Sequence, residues 1–263
     1  MARAMGFYTD TTVCIGCKAC QVACHEWNQI PTKSDYKLLG TSYDNTGALS
    51  AENWRHVKFI EQFSDDRKDG RWLMMSDTCK HCVQAPCLDV CPTGALIRTE
   101  FDTVVVQQDV CNGCRDCIAA CPFGVVQFSE TSGTVHKCTL CYDRTSAGLV
   151  PACAQACPTA SIQYGVIDDL MERAKGRVTT LQAKGETRAR IYGDKDILGG
   201  LNSFYLLVDE PEVYGLPRSP KLATRNTLPS SLMSVGSAVI VGLIGLLSFR
   251  KRRMDSPPPS EQV

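Results

Sequence analysis

The chain has 263 residues, and its 28 lysines and arginines balance its 28 aspartates and glutamates, so it carries no formal net charge at pH 7. This balance excludes a strongly basic nucleic-acid binder and an acidic disordered protein. A hydrophobic content of 44% is enough for a sizeable core, and the length is that of one or two domains. The unusual residue is cysteine, with 16 copies in a chain far too long for a small disulfide scaffold.

The amino-terminal segment precedes the first cysteine, at position 14. Residues 1–13 lack the apolar run of a secretory signal peptide, and they lack a twin-arginine pair. We therefore expect that nothing in this segment would export the chain by itself.

The cysteines fall into four groups of four, with none left over. In chain order the groups are Cys14-x2-Cys17-x2-Cys20-x3-Cys24, Cys79-x2-Cys82-x4-Cys87-x3-Cys91-Pro92, Cys111-x2-Cys114-x2-Cys117-x3-Cys121-Pro122 and Cys138-x2-Cys141-x11-Cys153-x3-Cys157-Pro158. The first and third have the spacing of bacterial ferredoxins, in which three thiolates hold one 4Fe–4S cluster and the fourth ligates its neighbour. The pattern therefore predicts four [4Fe–4S] clusters held by all of these cysteines.

Structural zinc with additional disulfides is the alternative interpretation. Zinc sites favour two C-x2-C pairs separated by a dozen or more residues, and only the fourth group can be fitted to that pattern. A disulfide framework would scatter the cysteines along the chain, whereas these are clustered. The spacing favours iron–sulfur clusters.

The positions of the groups also predict which of them pair. Only 19 residues separate Cys91 from Cys111, so 79–128 has the organisation of one complete two-cluster ferredoxin. The first and fourth groups flank this unit and must then pair with each other across it. Near copies of one motif, CPTGALI at 91–97 and CPTASIQYG at 157–165, support two such units. Sequential pairing, of group one with two and of three with four, is the alternative.

Exchange of the fourth ligand within each pair predicts four ligand sets, which we name after their first cysteines. The Cys14 set is Cys14, Cys17, Cys20 and Cys157; the Cys24 set is Cys24, Cys138, Cys141 and Cys153; the Cys79 set is Cys79, Cys82, Cys87 and Cys121; the Cys91 set is Cys91, Cys111, Cys114 and Cys117. The predicted fold class is α+β, with two nested ferredoxin-like two-cluster modules and one C-terminal transmembrane helix. The inner module covers about 76–130, and the outer one covers 10–30 and 131–166. Insertions such as 25–78 are expected to be loops or interface segments.

Three segments follow the cysteine groups. Apolar residues at helical spacing over about 168–184, ended by Gly185, predict an amphipathic helix, and 203–208 has the composition of a buried strand. Residues 211–229 contain four prolines and no periodicity. We expect them to form an extended linker after an electron-transfer domain that spans 1–210.

The C-terminal segment has the length and composition of a membrane span. Residues 230–249 contain no charge, and as a helix they would extend about 30 Å, the thickness of the bilayer core. The basic run RKRR at 250–253, in a proline-rich tail over 250–263, predicts a cytoplasmic C-terminus, although three basic residues in the linker weaken that bias. The cluster domain would then lie outside the cytoplasm, and it would have crossed the membrane already folded, bound to a signal-bearing partner. A buried soluble helix is the alternative.

Three stretches resemble the iron–sulfur (beta) subunits of membrane-bound respiratory formate dehydrogenases. They are CIGCKACQVACHEWN at 14–28, KHCVQAPCLDVCPTGAL at 80–96 and KCTLCYDRTSAGLVPACAQACPTASI at 137–162. The YGLPRSPK stretch and the single C-terminal span are similar too, so that the resemblance covers nearly the whole chain. The four-group pattern alone is shared by many electron-transfer subunits. Nitrate-reductase-type subunits usually lack one of these cysteines and hold a three-iron cluster, whereas all sixteen are present here.

The resemblance implies a non-catalytic electron-transfer subunit of an oxidoreductase complex. It implies a catalytic alpha subunit with a molybdopterin or tungstopterin site, and a membrane cytochrome b (gamma) subunit that reduces quinone, in addition to the lipid bilayer. The chain itself has no G-x-S-x-G, P-loop or Rossmann motif. The alternatives are the beta subunit of another molybdopterin oxidoreductase or of a membrane-bound nickel–iron hydrogenase, and, from a different class, a zinc-binding membrane adaptor.

Several histidines and cations lie close to the cysteines in the sequence. Four oxidised cubanes with their thiolates would add roughly −8 to the formally neutral chain, which nearby cations would offset. We expect the histidines to be solvated or to lie behind the ligands, and the cations to be surface charges or to offset the cluster charge. These residues are His25, His81, Lys80, Arg115, Lys137 and Arg144.

Overall fold

The computed structural model describes most of the chain and divides it into two compact units. The described residues are 3–32, 38–40, 42–64, 68, 70–222 and 227–255. The units are Met1–Leu222, which carries every cysteine, and Ala223–Val263. The first unit mixes helices and strands, in agreement with the predicted α+β class.

Short helices and strands of the first unit surround the four cysteine groups. The strands are β1 Met5–Asp10, β2 Arg55–Phe63, β3 Gly70–Thr78, β4 Leu96–Arg98, β5 Val104–Val106, β6 Gln127–Phe128, β7 Val135–His136, β8 Ile162–Val166, β9 Arg190–Tyr192 and β10 Ser203–Leu207. The helices are α1 Ala19–Trp27, α2 Pro86–Asp89, α3 Asp116–Ala120, α4 Tyr142–Ser146, α5 Ala152–Gln155 and α6 Ile167–Ala183, with 3₁₀ turns at Thr11–Val13 and Pro211–Tyr214.

A four-stranded sheet with the order β8–β1–β10–β9 brings distant parts of the chain together. Strand β1 runs parallel to β10 and antiparallel to β8, so that Thr9 near the end of β1 lies opposite Ile162 at the start of β8. Cys14 follows β1 closely in the sequence, and Cys157 shortly precedes β8. The antiparallel pairing therefore brings the first cysteine group beside the end of the fourth.

Helix α6 and strand β10 confirm two predictions from the sequence. The helix expected at about 168–184 is α6, which buries Leu170 and Ala174. Acidic residues in its first turn favour the helix start, because they lie near the positive end of the helix dipole. The strand expected at 203–208 is β10, which is buried over its whole length. Burial on both faces explains why its sequence, SFYLL, shows no polar alternation.

The long insertion at 25–78 corrects the sequence analysis. We expected loops or interface segments there, but β2 and β3 pair antiparallel over nine residues each, with Arg55 opposite Thr78 and Phe63 opposite Gly70. Strand β3 ends directly before Cys79. The insertion is therefore a regular β-hairpin that connects the first cysteine group to the second.

The prediction of an extended linker over 211–229 was wrong at both ends. Residues Pro211–Tyr214 form a 3₁₀ turn in which Tyr214 is buried, and Lys58 Nζ donates a hydrogen bond to the Tyr214 carbonyl oxygen at 3.0 Å. Proline suits the first position of such a turn because its φ is already fixed. At the other end, a helix begins at Thr227, since proline is tolerated in a first helical turn.

The second unit consists, in its described part, of the helix α7, Thr227–Asp255. Within it, Ser230–Met254 is long and apolar enough to cross a membrane, and it includes the span predicted at 230–249. Apolar side chains such as Leu243 and Ile244 are exposed along it. Arg252 and Arg253 lie in its last turn.

Candidate metal centres

The loops that begin the four cysteine groups share one backbone feature. The residue directly before the second cysteine has a positive φ in every group, and these residues are Gly16, His81, Gly113 and Leu140. Glycine adopts this conformation freely, whereas His81 and Leu140 store strain of about 1 kcal/mol or more. At Gly113 a Cβ atom would also lie 2.3 Å from the carbonyl oxygen of Gly133. The repeated conformation indicates one type of binding loop used four times.

The first helix shows how one group can serve two sites. Helix α1 begins at Ala19, directly after Lys18, whose φ is +58°. It carries both Cys20 and Cys24, which are both buried. Four residues separate these thiols by one helical turn, about 6 Å along the axis. The two cysteines can therefore contribute to neighbouring sites.

The Cys14 set lines one cavity. All four of its cysteines line this cavity, together with apolar neighbours such as Val57 and Ile162. Cys17 is exposed, whereas Cys20 is buried. The structure therefore brings together three cysteines of the first group and the last cysteine of the fourth.

The Cys91 set lines a second cavity, which is also lined by Leu96, Val106 and Val135. Its cysteines come from the second and third groups. Cys114 is exposed and Cys117 is buried, so that this cavity, like that of the Cys14 set, has one side near solvent.

All four cysteines of the Cys79 set line a third cavity. Val104, Val125 and Phe123 form part of its apolar lining. Cys79, Cys82 and Cys87 are buried and Cys121 is half-buried. This set is therefore more enclosed than the two sets with an exposed cysteine.

The Cys24 set is the most deeply buried, since none of its four cysteines is more than 7% exposed. Burial raises the pKa of the Cys24 thiol well above its usual range, and the neighbouring Cys138, Cys153 and Cys141 raise it further. Burial likewise raises the pKa of Cys153 to about 12. Thiols of this kind carry protons at neutral pH when no metal is bound, so metal loading must release protons and contribute to folding.

The geometry of these cysteines fits iron–sulfur clusters better than zinc. All sixteen are free thiols, so no disulfide competes for them. No three His, Cys, Asp or Glu side chains of the described residues converge closely enough to hold a single metal ion. Four thiolates on one zinc ion would lie within about 4 Å of each other, because a Zn–S bond is about 2.3 Å long. In the Cys14, Cys79 and Cys91 sets, the four cysteines line a shared cavity without converging on one point, an arrangement that suits a larger cluster.

Comparison with known families identifies the cofactor. One 4Fe-4S dicluster domain model matches residues 13–95, and another matches residues 70–167. Together the matches include all four cysteine groups. The protein is therefore a 4Fe–4S protein, and sixteen cysteines are the number that four such clusters need. The two matched ranges overlap at the second group, so they do not decide which groups pair.

Comparison with curated proteins identifies the family. The formate dehydrogenase iron-sulfur subunit of Haemophilus influenzae is 39% identical over 258 residues, which cover 97% of this chain and 81% of the relative. The nitrate-inducible formate dehydrogenase iron-sulfur subunit of Escherichia coli is 41% identical over 223 residues, or 83% of this chain and 74% of the relative. The chain belongs to the formate dehydrogenase iron–sulfur subunits. The resemblance found in the sequence is thereby confirmed, and with it the role of an electron-transfer subunit.

A related protein of different activity is also similar to this iron–sulfur subunit. The B subunit of the anaerobic dimethyl sulfoxide reductase of Escherichia coli is 34% identical over 176 residues, which cover 66% of this chain and 78% of the relative. The similarity is lower and covers less of the chain than that to the formate dehydrogenase subunits.

Thiols of different sets are neighbours in this subunit, and they connect the sets into a row. The Cys14 set adjoins the Cys24 set, which adjoins the Cys79 set, which in turn adjoins the Cys91 set. Across these boundaries, Cys20 raises the pKa of Cys153, Cys138 raises the pKa of Cys79, and Cys117 raises the pKa of Cys87, which shows that the thiols are close. The two sets with an exposed cysteine are therefore at the ends of the row, and the buried sets are in the middle.

Three cations that could have been surface charges, Lys80, Lys137 and Arg144, are instead buried, and the two lysines have buried hydrogen-bond partners close to the thiols. Lys80 is 1% exposed, and its ammonium donates hydrogen bonds to the Asp77 carboxylate and, at 2.7 Å, to the Thr78 carbonyl oxygen. Lys137 is 2% exposed and donates to the carbonyl oxygens of Val104 and Cys138. The surface interpretation was wrong for all three cations.

The other residues near the cysteines differ in burial. Arg144 is buried, with its guanidinium carbon 4.1 Å from the centre of the Trp27 ring, whereas Arg115 is more than half exposed. His25 is half-buried. His81 is buried and not solvated, and its Nδ1 accepts a hydrogen bond from the Val104 N–H at 3.2 Å. Burial lowers the pKa of His81 well below its usual range, so the ring is neutral.

Arg55 is the functional candidate that the sequence analysis missed. It begins β2, more than twenty residues from any cysteine in the sequence, and it is only 2% exposed. Burial lowers the pKa of its guanidinium, but Cys153, Cys20 and other thiolates outweigh burial and raise it, so Arg55 stays charged. No spacing rule identifies this residue, because only the pairing of β2 with β3 brings it to the thiols.

Proposed function

We propose that this subunit carries electrons from formate to a membrane acceptor. Formate would be oxidised at a molybdopterin or tungstopterin site in a separate catalytic subunit, and the electrons would leave toward a membrane cytochrome b and quinone. The similarity of nearly the whole chain to formate dehydrogenase iron–sulfur subunits supports formate as the electron source. The chain would contribute no catalytic residue of its own.

We propose further that the four ligand sets hold the clusters by nested pairing, with an inner module over about 76–130 and an outer module over 10–30 and 131–166. One observation carries this proposal: three separate cavities are each lined by the four cysteines of a single set. Cys138, Cys153 and Cys141 all raise the pKa of Cys24, and the proximity that this requires supports the fourth site. Sequential pairing would require Cys91 to share a site with Cys14, whereas these two line different cavities.

The chain's own residues would hold the clusters and control access to them. When bound, 4Fe–4S clusters take up and give back single electrons. The burial of the Cys24 set and the apolar lining of the Cys79 set would limit the access of water to these two clusters, and so the loss of electrons to solvent. Cys17 and Cys114 reach the surface at the two ends of the row. Exchange of electrons with partner proteins would therefore occur at these two ends.

The helix α7 would anchor the subunit in the membrane by a single span. Its length and composition support this, and the basic residues at its end support a cytoplasmic C-terminus. The cluster domain, Met1–Leu222, would then lie outside the cytoplasm, delivered there folded and bound to the catalytic partner. Protease treatment of sealed right-side-out vesicles should cleave the cluster domain before the tail. Cleavage of the tail alone would indicate the opposite orientation, with the cluster domain in the cytoplasm.

A second candidate is the electron-transfer subunit of a different molybdenum enzyme, such as a reductase of S-oxides. The similarity to the B subunit of dimethyl sulfoxide reductase favours this candidate over a hydrogenase subunit. Its lower identity and coverage make it the weaker of the two. The two candidate functions are distinguished by which substrate reduces or oxidises the clusters.

The deciding experiment uses the complex purified anaerobically from its own membrane. We expect about sixteen iron atoms per chain, from four clusters, and electron paramagnetic resonance (EPR) signals of reduced clusters after formate is added. The second candidate would be supported if formate did not reduce the clusters, and if an S-oxide oxidised them again after dithionite had reduced them. Colourless material without signals after dithionite would overturn both.

A further inference from the structure

Arg55 lies between two of the four cysteine sets. The thiolates that interact with its charge are Cys20 of the Cys14 set and Cys24, Cys138 and Cys153 of the Cys24 set. Its guanidinium carbon lies 4.9 Å from the centre of the Phe7 ring, which covers one side of it. A permanent positive charge is thus enclosed at the boundary of two sites.

Most of the side-chain N–H donors of Arg55 have no hydrogen-bond partner among the described residues. Its Nη1 donates to the Ser76 hydroxyl at 3.0 Å, and that hydroxyl lies 3.2 Å from the Cys20 sulfur. Its Nε and Nη2 are buried and have no hydrogen-bond partner in the described parts of the chain. An unpaired buried donor costs about 1–3 kcal/mol, so a native protein retains one only where something else compensates it.

Other buried cations show what is unusual about Arg55. Asp77 neutralises Lys80, and two carbonyl oxygens accept hydrogen bonds from Lys137. Arg55 forms no ion pair with a carboxylate of the described residues, and the Ser76 oxygen that accepts its Nη1–H is a neutral hydroxyl. The partners left for its free N–H groups are the anionic sulfurs of the two adjacent sites.

We propose that Arg55 is a positioning residue for electron transfer, whose free Nε–H and Nη2–H would donate to sulfur atoms of the clusters held by the Cys14 and Cys24 sets, and whose charge raises the reduction potentials of both clusters. The inference rests on the ligand sets proposed above. Each reduction adds one electron beside the guanidinium, and no bond to the chain forms or breaks. Since the added charge is negative, a buried cation stabilises the reduced form.

The test is a redox titration, monitored by EPR, of the anaerobically purified complex with the substitution Arg55→Met. Cys17→Ser, Cys121→Ser and Cys114→Ser, which replace exposed or half-buried cysteines, assign the signals of the Cys14, Cys79 and Cys91 sets, and the remaining signal belongs to the Cys24 set. At a fixed potential, we expect the ratio of reduced to oxidised cluster to fall about tenfold in both sets, which equals about 59 mV for a one-electron couple. The Cys79 and Cys91 sets should change by no more than about twofold, because they lie farther away.

Two further substitutions serve as controls. Arg177→Met removes a cation whose Nε lies 3.1 Å from the Asp10 carboxylate, and it should leave all four potentials unchanged. Ser76→Ala removes the hydroxyl between Arg55 and Cys20 and should lower the potential of the Cys14 set alone.

Arg55→Lys decides the question if Arg55→Met does not assemble. Lysine keeps the charge but loses the planar fork that donates to two sites at once, so a smaller fall of about threefold is expected, in the same two sets. Unchanged potentials in a loaded Arg55→Met or Arg55→Lys protein, or equal shifts in all four sets, would overturn the role of Arg55. Failure to find four clusters in the unchanged protein would instead overturn the proposed ligand sets.

Discussion

The two ends of the cysteine row differ from its middle. Cys17 and Cys114 are exposed at the ends, whereas the cysteines of the Cys24 set are at most 7% exposed. The binding loops share a positive φ before the second cysteine at both ends and in the middle. Cysteine spacing therefore determines the shape of a loop but not its access to solvent. Access depends on the elements packed around it, such as the hairpin β2–β3.

The largest expected effect is the difference in stability between two variants, one that replaces a buried cysteine and one that replaces an exposed cysteine. Cys153→Ser should lose its cluster and the native fold, because metal binding compensates the burial of these thiols. Cys17→Ser should remain folded, with only the cluster of the Cys14 set lost or altered. Iron content and resistance to proteolysis measure the difference. Equal proteolysis of the two variants would contradict the contrast between the middle and the ends.

A second prediction concerns the buried charges beside the middle of the row. Asp77 accepts hydrogen bonds from Lys80 and from the Tyr205 hydroxyl, and its carboxylate lies 2.9 Å from Lys58 Nζ. Asp77→Asn leaves Lys80 buried without a counter-charge and should lower the free energy of unfolding by about 3–5 kcal/mol. Anaerobic urea denaturation measures this loss.

The control for Asp77 is Asp194→Asn. Asp194 lies 3.8 Å from Lys175, and both side chains are exposed, so its loss should cost less than about 1 kcal/mol. A similar cost for the two substitutions would show that the buried pair contributes no more than a surface pair.

The same carboxylate gives a pH dependence with a definite sign. Burial raises the pKa of Asp77, but Lys80 and Lys58 outweigh burial and hold it well below its usual range. A carboxyl with a lowered pKa stabilises the fold above its unfolded pKa of about 4, and it loses that contribution as the pH falls further. The difference in stability between the unchanged protein and Asp77→Asn should therefore be constant from pH 7 to about pH 5 and shrink in stronger acid. A difference that shrinks already above pH 5 would contradict the lowered pKa.

A third prediction concerns the loss of iron under oxidation. Ferricyanide with a chelator should remove the clusters of the Cys14 and Cys91 sets first, because one cysteine of each reaches solvent. The brown absorbance should then bleach in two phases of similar amplitude. A single phase would indicate that the ends are no more accessible than the middle.

The smallest expected effect is that of an exposed cation. Arg115 borders the Cys91 cavity and lies 3.7 Å from Glu130, but its side chain is 54% exposed. Solvent screening should limit the effect of Arg115→Met on the Cys91 cluster to about twofold in the ratio of reduced to oxidised cluster. The same titration as for Arg55 measures it. A larger effect than that of Arg55→Met would contradict the importance of burial.

The sequence predicts features that depend on local spacing. The cysteine groups, helix α6, strand β10 and the apolar C-terminal helix all follow from short patterns of residue type. Spacing also predicts the binding loops, although only glycine at Gly16 and Gly113 indicates their positive φ. His81 and Leu140 adopt the same conformation without any sign in their residue type.

Features that depend on long-range pairing could not be predicted from the sequence. The hairpin β2–β3 was expected to be a loop, and the role of Arg55 depends on the register that sets it opposite Thr78. The burial of Lys80 and Lys137 has the same origin, because packing and not sequence decides which charges lose contact with water. Thus the ligand types could be predicted, but the charges around them could not.

The most direct test of the account locates the iron atoms in the intact complex by anomalous diffraction at the iron absorption edge. We expect four iron peaks, each bonded to the cysteines of one set, with the Cys24 and Cys79 sets in the middle of the row. An iron cluster held by Cys14, Cys17 and Cys20 together with Cys91, or fewer than four clusters, would contradict the nested assignment.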